Sequence, residues 1–201
     1  MNFRQFLNES PFVGGSTDFG LGTAKINKEH AEKYLKDKPT EIYEETDKFV
    51  FARFGSYNKG VIAYIDKIDK MLLYIVEFEQ ILIKEIHKSM TQTKVWRSDF
   101  LTKKNMAESV FNMLIDHTGT ICSDMDQTID GKRFWKRQMS VANENGYIIG
   151  LWESDLEDSI EWFDSDKEKF PAWAQRVYPT AWSDTDGFAH SYRFIISKNK
   201  F

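Results

Sequence analysis

The chain has 201 residues, a single cysteine and a net charge of −4, and 15% of its residues are aromatic. This length is enough for one domain with its own core, and the aromatic content is far above that of disordered chains. The acidic balance argues against a general nucleic-acid-binding protein, which carries a basic surface. One cysteine cannot close an internal disulfide, and no apolar run is long enough to cross a membrane. Composition therefore predicts a globular cytosolic chain without a membrane partner.

The chain begins with a short amphipathic peptide, in which Phe3, Phe6 and Leu7 share one helical face. Pro11 interrupts this pattern, and four glycines between residues 13 and 23 indicate a linker. We expect residues 1–22 to form an N-terminal peptide with a Gly-rich linker, and residues 23–201 to form a single domain. A first helix packed on the domain is the alternative.

The middle of the chain is strand-like. Asn27 is a plausible N-cap for a helix that ends near residue 37. Aromatic and β-branched runs at 49–54, 60–66 and 71–78, separated by short polar turns, then predict an antiparallel meander, with 81–86 and 94–97 as extensions.

The periodicity changes beyond residue 103. Apolar spacing predicts helices over 104–116 and 130–145, which alternate with strands at 120–123 and 147–152, and one more strand follows at 192–197. A meander followed by helix, strand, helix and strand predicts an α+β (mixed α/β) fold.

Two polar and aromatic stretches are the candidate binding sites. Ser123–Trp135 joins a predicted strand to a predicted helix, where loops of open sheets often line ligand crevices. Thr91–Arg97 ends in a Trp–Arg pair that can stack on a ligand or anchor an interface. The predicted binding residues are Trp96, Arg97, Asp124, Gln127, Thr128 and Trp135. Helix capping, satisfied loop amides and core positions for the tryptophans are the alternatives.

No familiar catalytic signature or metal-ligand spacing is present in the sequence. Cys122 lies on a short apolar strand, where a small buried side chain is the expectation. We therefore expect no catalytic residue, no metal and no cofactor. Residues 153–168 carry eight acidic side chains with apolar residues among them. This pattern suits either docking onto a basic partner or a solvated face.

The first ten residues resemble the N-terminal peptide of many proteins of T4-like tailed phages. In internal capsid proteins of that group the peptide targets the protein into the prohead, and a phage protease then cuts after Glu in a Leu-x-Glu pattern. Leu7-Asn8-Glu9 matches this pattern. The resemblance implies a cut between Glu9 and Ser10.

The element order from about residue 48 to residue 152 resembles the GNAT acetyltransferase fold. The junction Ala142–Tyr147 is similar to a helix-to-strand junction of that family, and GNAT-like phage proteins also show the Ser-Asp-x-x-Gln-Thr-x-x-Gly-x-x-x-Trp pattern of Ser123–Trp135. GNAT enzymes bind the CoA pyrophosphate on a glycine-lined loop at a helix N-terminus. Residues 101–108 contain no glycine, although Lys103 and Lys104 can meet phosphate as point charges. Acetyl-CoA is thus implied as a cofactor only if the chain is an acyltransferase.

Among such phage proteins the chain is similar in general character to the anti-DarT factor group, which antagonises a host toxin that ADP-ribosylates DNA. This resemblance implies an early phage protein that binds and neutralises a host protein in the host cytoplasm. Two alternatives stay open: an acyl-CoA-dependent N-acyltransferase with a degenerate CoA loop, and a packaged protein of the virion interior.

Overall fold

A computed structural model describes residues 24–84, 87, 89–124, 129–153, 159–181 and 192–198. These residues form four helices and nine strands, which confirms the α+β class. The helices are α1 (Ala24–Lys36), α2 (Met106–Thr118), α3 (Ile129–Glu144) and α4 (Phe170–Ala181). The strands are β1 (Glu41–Glu45), β2 (Phe49–Gly55), β3 (Lys59–Asp66), β4 (Met71–Ile81), β5 (Ser89–Arg97), β6 (Thr120–Cys122), β7 (Ile148–Glu153), β8 (Ser159–Trp162) and β9 (Tyr192–Ser197).

The chain divides into two compact units. The first unit contains the described residues up to Glu79 together with Gln92–Val110. The second contains Gln80–Thr91 and the described residues from Phe111 onward. Strands β4 and β5 and helix α2 therefore each contribute residues to both units.

The first unit is built on the predicted meander. Its hydrogen-bonded strand order is β1-β2-β3-β4-β5, and the pairs from β1 to β4 are antiparallel. The turn between β3 and β4 is closed by Asp66, whose Oδ1 accepts hydrogen bonds from the main-chain N–H groups of Ile68 (2.9 Å) and Asp69 (3.0 Å). Helix α1 packs on one face of this sheet through a core cluster that consists of Ala31, Val50, Ala52, Phe54, Ala63, Ile65, Leu72 and Ile75.

Strand β1 at the end of this order was not predicted from the sequence. Three of its five residues are glutamates, a composition that is unusual for a strand. A register shift between Ile42 and Glu44 interrupts its pairing with β2. Each glutamate is paired with a cation of the same unit: Glu41 with Arg53 (2.9 Å), Glu44 with Lys103, and Glu45 with Lys67 (3.0 Å).

The expectation that Asn27 caps α1 is wrong. The helix begins at Ala24, so Asn27 lies inside it, and its side chain is buried. Its Nδ2 donates to the Leu72 carbonyl oxygen (3.2 Å) and its Oδ1 accepts from the Leu72 N–H (2.8 Å). A polar side chain at this position is therefore explained by a tertiary contact with β4.

The second unit has the strand order β5-β6-β9-β7-β8. Strands β5 and β6 are parallel, whereas β9 is antiparallel to both β6 and β7, and β8 is antiparallel to β7. Helices α2 and α3 end as predicted at glycines with positive φ, Gly119 (77°) and Gly146 (71°). The largest fully buried side chains of this unit are Trp173, Phe194, Ile115, Ile121, Ile83 and Met139.

Candidate functional site

The second unit contains a cleft between helix α4 and strands β7, β8 and β9. Its volume is about 220 Å³. Its lining combines two apolar side chains, Leu151 and Val177, with five polar ones, Glu153, Ser159, Glu161, Arg176 and Tyr192. Pockets for drug-sized ligands are usually about 300–1,000 Å³, so this cleft fits a smaller group.

Strand register explains how these side chains meet. Glu153 of β7 lies opposite Ser159 of β8 on one side and opposite Tyr192 of β9 on the other. Leu151, two residues earlier on β7, lies opposite Glu161. Directly opposed residues of neighbouring strands, and residues two apart along one strand, share a face of the sheet. These five residues therefore project to the same face.

Arg176 of α4 connects the helix to the acidic side of the cleft. Its Nη2 donates to Oε1 of Glu161 (2.6 Å) and to Oε1 of Glu168 (2.7 Å), and the indole Nε1 of Trp173 also donates to Oε1 of Glu161 (3.1 Å). The hydrogen bond from Arg176 is the main reason why the pKa of Glu161 lies below its usual range. The same two carboxylates raise the pKa of Arg176. Glu161 and Arg176 are consequently both charged at neutral pH.

Glu153 is held by a different partner. The phenol of Tyr192 donates to its Oε1 (3.1 Å). Burial first, and then this hydrogen bond, raise the pKa of Tyr192, so its hydroxyl keeps its proton at neutral pH. The cleft and its neighbour Glu168 thus present three carboxylates against one guanidinium, which favours a positively charged ligand.

Comparisons of the chain with protein-family models, with curated proteins and with solved structures find no match. In the described ranges, no cluster of three or more His, Cys, Asp or Glu side chains is arranged to hold a metal ion. None of the helices there has the length and hydropathy of a membrane-crossing segment.

The residues predicted from sequence as a binding site belong to different units, and two of them belong to the first. Trp96 packs partly buried against the cluster between α1 and the sheet. Arg97 follows it on β5, so its side chain leaves the opposite face, and its Nη2 donates to the Leu101 carbonyl oxygen (3.4 Å). The two neighbouring side chains therefore do not share a face of the strand.

The two lysines expected to meet phosphate also lie in the first unit. Lys103 forms an ion pair with Glu44, and its ammonium lies over the rings of Tyr64 (5.2 Å) and Phe51 (5.6 Å). Lys104 is exposed, one residue before Asn105. Asn105 has a positive φ of 60° just ahead of α2.

In the second unit, Trp135 is buried and lies edge-on to Phe111, with 5.6 Å between ring centroids. Asp124 is half-buried and follows Ser123, whose hydroxyl accepts a hydrogen bond from the Phe194 N–H (2.9 Å). Gln127 and Thr128 lie outside the described residues, as do the predicted processing residues Leu7, Glu9 and Ser10.

Cys122 is fully buried on β6, as expected. Burial raises the pKa of its thiol, and the charge of Arg193 opposes this shift in part. A buried thiol of this kind is chemically inert in most proteins.

Sequence reasoning found part of the cleft. The acidic stretch 153–168 includes Glu153, Glu161 and Glu168 and was expected either to bind a basic partner or to be solvated. Arg176 and Tyr192 were not singled out, because they join the site only through the docking of α4 and the pairing of β9 with β7. The alternation Leu151-x-Glu153 next to Ser159-x-Glu161 is the local signal that points to one shared face.

Proposed function

We propose that the protein is a phage accessory protein that neutralises a host defence factor by binding it, with the acidic cleft of the second unit in the contact surface. The observation that supports this proposal most directly is the set of fixed charges around the cleft. Glu161 is held ionised by Arg176, and Glu153 and Glu168 add two further carboxylates. Rigid carboxylates on a folded surface supply the electrostatic complementarity that speeds association with a basic partner.

A toxin that ADP-ribosylates DNA is the partner class that the resemblance to the anti-DarT factor group suggests. An enzyme that handles DNA needs Lys and Arg side chains against the phosphate backbone. An acidic protein surface can bind the same Lys and Arg side chains, and it therefore competes with the DNA phosphates for them. The net charge of −4 of the whole chain acts in the same direction at longer range.

The test is an affinity measurement between the full chain and a purified DNA-ADP-ribosylating toxin. We expect the double variant Glu153→Gln/Glu161→Gln to bind at least tenfold more weakly and to show a smaller salt dependence. The matched control is Glu29→Gln/Asp47→Asn, which removes the same charge from exposed positions of the first unit. Equal affinity of the two variants would rule out the cleft as the contact.

The residues predicted from sequence provide an alternative contact surface, which is tested by substitution. Arg97→Ala and Gln127→Ala are compared with the cleft variants for melting temperature and for rescue of phage growth on a host that carries the toxin. Loss of rescue at unchanged melting temperature would place the contact at those residues instead. Full rescue by both variants is the outcome expected from a contact at the cleft.

An acyltransferase with a degenerate CoA loop is the second candidate function. The observation that favours it is the parallel pairing of β5 with β6, two strands that the chain connects through helix α2. Against it, residues 101–108 have no glycine to admit a pyrophosphate close to the main chain, and Lys103 is already paired with Glu44. We expect calorimetry to show no acetyl-CoA binding at tens of micromolar, and a micromolar dissociation constant would favour the enzyme instead.

A further inference from the structure

Among the described residues, each of the two carboxylates that line the cleft accepts hydrogen bonds through one oxygen. Oε1 of Glu153 accepts the Tyr192 hydroxyl, and Oε1 of Glu161 accepts both Trp173 and Arg176. Within the described ranges no residue donates a hydrogen bond to Oε2 of either side chain. An ionised carboxylate has about four acceptor positions, so both groups keep capacity for a further donor.

The spacing of these carboxylates follows from the strand register. Glu153 lies opposite Ser159, and Glu161 is two residues further along β8, so the two glutamates are diagonal neighbours across a strand pair. Such neighbours are about 7–8 Å apart between main-chain positions. A group with two separated donors can therefore reach both carboxylates, whereas a single donor atom cannot do so with good geometry at both.

The apolar side chains of the cleft place a second requirement on its ligand. Leu151 and Val177 contribute hydrocarbon to a cleft of about 220 Å³ that is otherwise polar. A ligand with an alkyl chain behind a charged head would bury methylene groups against these side chains, which favours binding because apolar surface is removed from water.

We propose that the cleft binds the side chain of a single arginine presented by the protein partner. This inference rests on the proposed function and names the group that the acidic cleft recognises. A guanidinium is planar and presents five N–H donors in a fixed fork, which suits two carboxylates at once, whereas the ammonium of lysine is a point charge. Within the chain, Arg176 also binds two carboxylates, Glu161 and Glu168, although it does so through the single atom Nη2.

The experiment is a titration of the full chain with Nα-acetyl-arginine N-methylamide, followed by NMR on the methyl signals of Leu151 and Val177. Nα-acetyl-citrulline N-methylamide is the neutral isostere, and the corresponding lysine compound is the second comparison. We expect the arginine compound to shift both signals at millimolar concentration, and to bind at least tenfold more tightly than either comparison compound.

Glu153→Gln is the first variant, because its side-chain carbonyl can still accept the Tyr192 hydroxyl. We expect it to weaken binding of the arginine compound at least tenfold at an unchanged melting temperature. Glu161→Gln is the second variant, and Glu29→Gln/Asp47→Asn is the control that leaves binding unchanged. Equal binding of arginine and citrulline compounds would overturn the proposal, as would equal binding of the lysine compound or an affinity that neither cleft variant changes.

This titration contains no host factor, so its outcome is separate from that of the toxin-binding assay. If the arginine compound does not bind but the toxin binds through the cleft, the proposed function stands and the arginine proposal fails. If the arginine compound binds but the toxin does not, the ligand class stands and the proposed partner fails.

Discussion

The side-chain amide of Asn27 links helix α1 to the main chain of strand β4. Its amide satisfies the N–H and the C=O of the same residue, Leu72, and the whole group is shielded from water. Buried main-chain groups that lose such a partner cost about 1–3 kcal/mol each. Asn27 therefore adds a polar attachment of α1 to the apolar packing of the helix on the sheet.

We expect Asn27→Ala to lower the free energy of unfolding by about 2–6 kcal/mol, because both main-chain groups of Leu72 lose their partner at about 1–3 kcal/mol each. The measurement is the urea midpoint at constant m-value. Lys28→Ala, an exposed change one position along the same helix, is the control and is expected to stay within about 0.5 kcal/mol. A similar midpoint for the two variants would contradict the role given to the amide.

Two glycines of the second unit are required for different physical reasons. A Cβ at Gly150 would lie 2.7 Å from Cε3 of Trp162 and 2.9 Å from Cγ2 of Ile160, both on the paired strand β8. At Gly146 nothing lies within 4 Å of the corresponding position, but φ is +71°. The first position excludes a side chain by its neighbours, and the second by its main chain.

We therefore expect the cost of substitution at Gly150 to grow with side-chain size, from about 1–3 kcal/mol for Gly150→Ala to more for Gly150→Val. At Gly146 the left-handed main-chain conformation determines the cost of substitution. Gly146→Asn should therefore be tolerated better than Gly146→Ala. Thermal unfolding of the four variants measures both trends. A loss at Gly150 that does not depend on side-chain size would refute the steric explanation.

At the scale of secondary-structure elements, helix α4 is held to β8 by the interaction of Arg176 and Trp173 with Glu161. The Glu161 side chain is 46% exposed, so solvent screens the ion pair and its contribution is small. The lowered pKa of Glu161 nevertheless gives this contact a pH dependence with a defined sign.

The pKa of Glu161 is lower in the folded state than in the unfolded chain. Its contribution to stability is therefore complete above the unfolded pKa of about 4.3 and is lost as the pH falls through the folded value. We expect Glu161→Gln to be less stable than the parent protein by about 0.2–1 kcal/mol near neutral pH, and this difference to disappear in acid once the pH lies below the lowered pKa of Glu161. Melting curves across this range test the expectation, and a difference that persists unchanged in acid would exclude the ionised pair as its source.

The elements that could be predicted from sequence are those with strong local patterns. The three meander strands and the helices ended by Gly119 and Gly146 were located to within about three residues, because β-branched runs and C-terminal glycines act locally. Strand β1 was missed because glutamates rarely form strands, whereas its pairing with β2, its ion pairs and the ring contact of Tyr43 with Phe51 stabilise it there. Helix α4 was missed although Trp173, Ala174, Val177 and Ala181 form a buried stripe, because Pro179 lies within it.

The candidate cleft was only partly predictable for the same reason. Its two carboxylates come from one acidic stretch of sequence, whereas Arg176 and Tyr192 come from an unpredicted helix and a distant strand. Two tryptophans chosen for local composition prove to pack against the cores of their units, where Trp135 is buried and Trp96 is partly buried. Aromatic side chains contribute most to core packing, so an aromatic-rich stretch points to a core before it points to a ligand.

At the scale of the whole molecule, the N-terminal peptide offers a test of the phage interpretation. If Leu7-Asn8-Glu9 is a prohead-protease site, protein recovered from purified virions begins at Ser10. N-terminal sequencing by mass spectrometry distinguishes this form from the intact chain in infected-cell lysate. Glu9→Gln, which removes the charge that defines the site, is expected to leave the packaged chain uncut. Detection of the intact Met1 form in lysate alone, and of no form in particles, would contradict packaging.

The ion-paired glutamates of strand β1 also bear on behaviour in concentrated solution. A bare strand edge is a template on which another chain can polymerise. Here an incoming copy paired in antiparallel fashion would bring its own glutamates close to those of β1, and would have to remove water from the ion pairs of Glu41, Glu44 and Glu45. That barrier is electrostatic, so dissolved salt screens it. Fibrillation of the intact protein through this edge is accordingly expected to be faster at high ionic strength than at low ionic strength.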